Sequence, residues 1–188
     1  MEKEEDKKII HLFMTDKCTH HCPMCCNKQY SIDEIPVVTV EELKNAEMVL
    51  LTGGEPFLID GVCDLAKEIK SQYRNVKYVY VYTCGDSLYG WLSRHDELHD
   101  IDGVNISPKN RYDLDCVVDL FKKDYLRQEM MKLSSNRLYL FPEQRKQLCV
   151  SILGITGYEN VEIIYREWQE TFKAQSGIFR RLPVLLQP

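Results

Sequence analysis

Apolar and polar positions along this chain fall into short runs that switch between two periods. Ile9 to Met14, Met48 to Thr52, Val76 to Tyr82, Gly103 to Ser107 and Arg137 to Phe141 are compact runs rich in branched and aromatic residues. Runs of that length and content read as five strands. The intervals between them carry helical signals. Thr39-Val40-Glu41-Glu42 is a capping box, and Asp60 is placed to cap a helix through Ser71 with Val62, Leu65, Ala66 and Ile69 on one face. Ser87 opens a short helix, Asp113 caps a longer helical stretch, and Pro142 suits the first turn of another helix. Beyond Gly154 the pattern predicts a helix from Val161 to Phe172 and a sixth strand from Pro183 to Leu186. Strands alternating with helices predict an α/β fold with a parallel sheet. Residues 1–188 are expected to form one domain, with no repeats, linkers or low-complexity segments.

Composition narrows the function class. Hydrophobic residues make up 44% of the chain and charged residues 28%, which is a globular balance. The formal net charge of -5 argues against generic nucleic-acid binding, which needs a basic surface. No apolar run approaches a membrane span, and the charged lead Met1 to Lys8 has no signal-peptide core, so a cytoplasmic location is expected. Eight cysteines in such a chain point to metal binding or buried thiols rather than disulfides.

The cysteines then supply the chemistry. Cys18-Thr19-His20-His21-Cys22-Pro23-Met24-Cys25 places three thiolates at C-x3-C-x2-C on one loop after the first strand. Four-iron four-sulfur clusters take cysteine ligands, normally four of them. A three-cysteine set therefore leaves one iron open to a further ligand. Cys18, His20, His21, Cys22, Cys25 and Cys26 also have donor types that zinc accepts, although a structural zinc site wants a second ligand pair and Cys63, Cys84, Cys116 and Cys149 stand singly. About thirty residues on, the length of a strand-helix-strand unit, the second strand runs into Gly53-Gly54-Glu55-Pro56. Glycines there let backbone carbonyls come close to a ligand.

Together the two motifs resemble the radical S-adenosylmethionine (radical SAM) superfamily over nearly the whole chain. The resemblance implies a partial (β/α)6 barrel of parallel strands. It implies a 4Fe-4S cluster on Cys18, Cys22 and Cys25, with the ammonium of S-adenosylmethionine held by Gly53, Gly54 and Glu55. The implied activity is that of an oxidoreductase or lyase: reductive cleavage of S-adenosylmethionine to a 5'-deoxyadenosyl radical that abstracts hydrogen from a substrate. An external electron donor such as flavodoxin or ferredoxin is implied as well. With an abbreviated barrel the lateral opening is expected to be wide, or covered by a partner subunit, which leaves room for a homodimer.

Other motifs fall where the family keeps its cofactor contacts. Thr83 closes the third strand, and Ser107 and Lys109 close the fourth, positions that touch the ribose and carboxylate of S-adenosylmethionine in that family; Cys84 stands where many members have Asn. Leu153-Gly154-Ile155-Thr156-Gly157 partly matches the family's adenine-pocket motif, and Met24 takes the place of an aromatic that covers the adenine. Cys26 reads as a spare thiol, and His20 and His21 as loop-surface residues. Ser107-Pro108-Lys109 and Leu186-Gln187-Pro188 are locally similar to 7-carboxy-7-deazaguanine synthases, but Cys25-Cys26-Asn27 departs from their Cys-Asp-Thr, whose threonine binds magnesium. Glycyl-radical activating enzymes are another small type within the superfamily. An iron-sulfur electron carrier or sensor is the alternative of a different class, and it has no use for the Gly-Gly-Glu-Pro turn.

Overall fold

In the computed structural model, residues 8–23, 25–95, 97–143, 158–167 and 177–188 are described. Seven parallel strands form one sheet: β1 (Ile9–Thr15), β2 (Met48–Gly53), β3 (Tyr78–Thr83), β4 (Gly103–Ile106), β5 (Asn136–Leu140), β6 (Val161–Tyr165) and β7 (Ile178–Arg181). Their order across the sheet is β6-β5-β4-β3-β2-β1-β7. Six strands thus follow chain order, and the seventh joins the far side of β1. Among the described residues five α-helices lie between them: α1 (Val40–Asn45), α2 (Val62–Gln72), α3 (Asp86–Leu92), α4 (Arg111–Lys122) and α5 (Asp124–Lys132).

Alternation along the strands separates two faces. Leu12, Leu51, Val81, Val104 and Leu138 point into the apolar core. There they join helix residues such as Ala66, Leu88, Trp91, Val117 and Met130. Positions of the opposite parity face a cavity and are more polar, including His11, Thr52, Tyr82, Arg137 and Glu162. A sheet buried on one side and lined by polar groups on the other is built to cover its core with helices and offer the remaining face to a ligand.

Several expectations change. Among the described residues the parallel sheet has seven strands rather than six and stays open, with β6 and β7 at its two edges. Val161–Tyr165 is a strand rather than the start of a helix. It pairs in register with Asn136–Leu140, so its apolar residues pack against β5 as an edge strand. Pro183 to Leu186 is not a strand; Pro183 has no N–H for a ladder, and the strand beside β1 is Ile178–Arg181. The segment beyond it stays tied to β1: Leu182 N–H donates to the Phe13 carbonyl at 3.0 Å and Leu186 N–H to the Met14 carbonyl at 2.8 Å. The caps also differ. Gly61 rather than Asp60 precedes α2, and Asn110 rather than Asp113 caps α4, its side chain accepting from Asp113 N–H. Met24, Cys149 and the 153–157 motif lie outside the described residues.

Candidate functional site

The cysteine loop leaves β1 at its C-terminal end, where parallel α/β sheets gather ligands. Thr15 fixes its departure: fully buried, it donates to the Leu186 carbonyl at 2.9 Å and accepts from Lys17 N–H at 3.2 Å. Gly54 N–H then donates to the Thr15 carbonyl, and Glu55 N–H to that of Lys17, each at 2.7 Å. The two motifs are therefore laced together by main chain.

That lacing explains the glycines. A Cβ on Gly53 would lie 2.2 Å from the Thr15 carbonyl oxygen, and one on Gly54 would lie 2.0 Å from that of Lys17. Gly53 also has φ of +137°, a region open to glycine and strained for other residues. The smallness of this pair is thus used first to seat the turn against the cysteine loop. The Gly53 carbonyl accepts a hydrogen bond from Asn27 Nδ2 at 2.5 Å, which leaves its second lone pair for a ligand.

One cavity of about 680 Å³ collects the residues singled out from the sequence. Cys18, Cys22 and Cys25 line it together with Gly53, Gly54 and Glu55. Thr83, Ser107 and Lys109 complete the same rim from β3 and β4. Lys109 Nζ donates to Ser107 Oγ at 2.9 Å. The cysteines are free thiols, Cys18 exposed and the other two half-buried. Partial burial raises the thiol pKa of Cys18 and of Cys22 above the usual value, with Lys109 opposing it at Cys22.

Glu55 is the unusual group of the cavity. Only 2% exposed, it has its pKa raised by burial. Its Oε2 accepts from Cys84 N–H at 2.9 Å and from the Cys84 thiol at 2.8 Å. Its Oε1 is buried with no hydrogen-bond partner. A buried acceptor left unpaired is costly, so this atom is a ready point of attachment for a cation or an N–H donor.

Cys84 and His20 are more involved than the sequence indicated. The Cys84 thiol is buried and also lies 2.8 Å from Asp86 Oδ1; burial, then the Glu55 and Asp86 carboxylates, push its pKa far up. His20 is not a surface residue. Its side chain is 12% exposed, with Nε2 2.9 Å from Asp113 Oδ1 and Nδ1 3.8 Å from Cys84 Sγ. Asp113, fully buried, accepts from Lys109 N–H through its other oxygen at 2.7 Å. One carboxylate thus ties the cysteine loop to the end of β4. A local clue existed: Asn110 and Asp113 are both able to cap α4, and one cap suffices, which frees the other for a different task.

His20, Cys84 and Asp113 are the one group of three His, Cys, Asp or Glu among the described residues whose ligand atoms lie within 4.8 Å of one another. The loop thiols are not drawn together in that way.

No protein-family model matches the sequence, and a search of curated proteins returns no match. Among solved structures, the crystal structure of BtrN in complex with AdoMet and 2-DOIA is similar at a TM-score of 0.43 and 15% identity, covering 88% of this chain and 71% of that one. No helix among the described residues is long and apolar enough to cross a membrane.

Proposed function

We propose that the chain is a radical SAM enzyme. The observation that carries this reading is the convergence in one cavity of the three loop thiols, the Gly53-Gly54-Glu55 turn and the unpaired Glu55 Oε1. Cys18, Cys22 and Cys25 would hold a 4Fe-4S cluster. Glu55 Oε1 and the second lone pair of the Gly53 carbonyl would accept from the ammonium of S-adenosylmethionine, and Thr83, Ser107 and Lys109 would contact its ribose and carboxylate. When bound there, the two groups would supply reductive cleavage of S-adenosylmethionine and hydrogen abstraction from the substrate. The protein's own part is positional. Main-chain bonds between Thr15–Lys17 and Gly54–Glu55 hold the glycine turn against the cysteine loop, and Asp113 fixes the loop through His20. Fixed geometry of this kind is what makes such a step efficient. A flavodoxin or ferredoxin is the proposed electron donor.

The test is to reconstitute the protein anaerobically and record the paramagnetic resonance spectrum of the reduced cluster with and without S-adenosylmethionine. A changed spectrum together with formation of 5'-deoxyadenosine supports the assignment. An unchanged spectrum and no 5'-deoxyadenosine from a fully loaded sample favours a cluster-bearing carrier or sensor.

A further inference from the structure

Three elements meet at one wall of the cavity, and each brings a metal-ligating side chain. His20 comes from the loop after β1, Cys84 from the end of β3 and Asp113 from the first turn of α4. His20 and Cys84 line the cavity, and Asp113 stands behind them, fully buried and ion-paired with His20. One donor atom of each residue lies within 4.8 Å of the other two. Donors held at about 2.0–2.3 Å by a tetrahedral zinc ion stand roughly 3.3–3.8 Å apart, so side-chain shifts of about 1 Å close the set around an ion. A second observation points to a cation at the same place. The Glu55 and Asp86 carboxylates each lie 2.8 Å from the Cys84 sulfur, although a thiol has one proton to give. Glu55 is only 2% exposed and its Oε1 has no hydrogen-bond partner. Negative charge concentrated out of contact with water is costly until a cation offsets it. The donor types choose the ion: thiolate with imidazole suits zinc, whereas magnesium and calcium take oxygen ligands.

We propose that His20, Cys84 and Asp113 form a zinc site distinct from the three loop thiols, with a fourth position open to water or to a ligand oxygen in the cavity. Binding breaks the Cys84 S–H bond and forms a zinc–sulfur bond; the proton leaves to solvent, and nothing is oxidised or reduced. One thiolate and one carboxylate then cancel the charge of the ion, which suits a buried position. The direct contact of His20 with Asp113 becomes a contact through the ion, so the cysteine loop stays tied to α4. Three protein ligands with an exchangeable fourth position is the pattern of zinc that polarises a bound oxygen, rather than that of a closed structural site. The site does not rest on the radical SAM reading, because none of its ligands is assigned to the cluster or to S-adenosylmethionine.

The experiment loads the protein with its cluster anaerobically, adds zinc, removes loosely held metal by gel filtration, and records zinc per chain and the zinc K-edge absorption spectrum, which reads zinc ligands in the presence of iron. About one zinc per chain is expected, with one sulfur ligand at about 2.3 Å and nitrogen or oxygen for the rest. Cys84→Ser, His20→Ala and Asp113→Asn are each expected to weaken zinc binding about tenfold or more in competition with a chromogenic chelator, while Cys63→Ala leaves it unchanged. Calorimetry in buffers of different ionisation enthalpy, at about pH 8, is expected to show roughly one proton released per zinc, and that release is expected to vanish in Cys84→Ser. Circular dichroism checks that each variant is folded. Failure of the unaltered protein to retain zinc, a zinc spectrum with several sulfur ligands, or full affinity in folded Cys84→Ser overturns the inference. Should no cluster assemble, the same measurements on a variant carrying Cys18→Ala, Cys22→Ala and Cys25→Ala decide the zinc site by themselves. Zinc bound there with one sulfur ligand would leave this site standing while the radical SAM reading falls.

Discussion

His20 Nε2 and Asp113 Oδ1 stand 2.9 Å apart across 93 positions of sequence, joining the cysteine loop to the first turn of α4. Asp113 is fully buried and holds Lys109 N–H with its other oxygen, so one side chain braces two walls of the cavity. Nε2 faces the Asp113 carboxylate, while Nδ1 lies 3.2 Å from Thr19 Oγ1 and 3.8 Å from Cys84 Sγ.

Asp113→Ala removes both acceptors at once. Leaving buried donors unpaired costs about 1–3 kcal/mol, and urea unfolding is expected to register a loss of that size. Asp113→Asn keeps one acceptor and is expected to cost less. Both variants are expected to lower iron retention on dilution, because the loop loses its tie to α4; a loop that keeps iron as well as the unaltered protein would show that this brace is unimportant.

Cys18→Ala, Cys22→Ala and Cys25→Ala are each expected to abolish cluster assembly, measured as iron and sulfide per chain after reconstitution. Cys26→Ala and Cys63→Ala are expected to keep it. Cys26 is exposed and its sulfur meets only Asn27 Oδ1, at 3.6 Å, among the hydrogen bonds of the loop. Loss of iron in Cys26→Ala with retention in Cys25→Ala would reverse the ligand assignment.

Glycine substitutions separate steric need from helix propensity. Gly54→Ala drives a Cβ to within 2.0 Å of the Lys17 carbonyl oxygen, so the turn and the loop must part; a large drop in melting temperature and loss of cluster are expected. Gly90→Ala sits inside α3, where the nearest atom to a new Cβ, apart from the helix backbone, is Arg94 Nη1 at 3.8 Å. Replacing a helical glycine there is expected to stabilise the fold by roughly 0.5–1 kcal/mol.

Thiol reactivity follows burial and pKa together. Cys63 is buried, and burial followed by the nearby Asp64, Asp100 and Glu97 charges pushes its thiol up to about 12. It stays protonated and unreactive at mildly alkaline pH, since the thiolate is the nucleophile. Iodoacetamide on folded, cluster-free protein is expected to modify the exposed Cys18 and Cys26 first, and Cys63, Cys84 and Cys116 only after unfolding. The sign for stability follows: an unfolded Cys63 ionises near 9.0 and the folded one near 12, so its contribution is lost as pH rises across that interval. Peptide mapping of the modified protein and alkaline unfolding of Cys63→Ala check both statements.

The legible parts of this fold were those whose signals are local. The strands from β1 to β5 show as branched and aromatic runs because each is held on two sides and faces the core with alternate residues. The capping box of α1 appears as expected, Thr39 and Glu42 bonding reciprocally. Edge strands were harder to see. β6 is half solvated and mixes Glu with Ile and Tyr, a composition a helix also tolerates, and β7 lies beside β1, where nothing local reports the pairing. The site divides in the same way. Cys18, Cys22, Cys25 and Gly53-Gly54-Glu55 are contiguous motifs, whereas His20 and Asp113 acquire their roles through a contact that no short stretch of sequence encodes.

The remaining prediction concerns substrate. Asn27 stands where 7-carboxy-7-deazaguanine synthases have a magnesium-binding threonine, and both ends of its amide are engaged: Nδ2 donates to the Gly53 carbonyl and Oδ1 accepts from the Tyr30 hydroxyl. Magnesium is a hard cation that demands strict octahedral geometry from oxygen ligands. A neutral amide oxygen already receiving a phenol is a poor member of such a set. Ser107 and Lys109, the local likeness to that family, bond to one another at the end of β4, an arrangement that needs no particular substrate. Incubating reconstituted protein with 6-carboxytetrahydropterin, S-adenosylmethionine, reductant and magnesium is therefore expected to give no deazaguanine by mass spectrometry, and magnesium is expected to leave 5'-deoxyadenosine formation unchanged. Multiple-turnover deazaguanine formation that depends on magnesium would make the chain a member of that synthase type and move Asn27 from a brace of the glycine turn to a metal ligand.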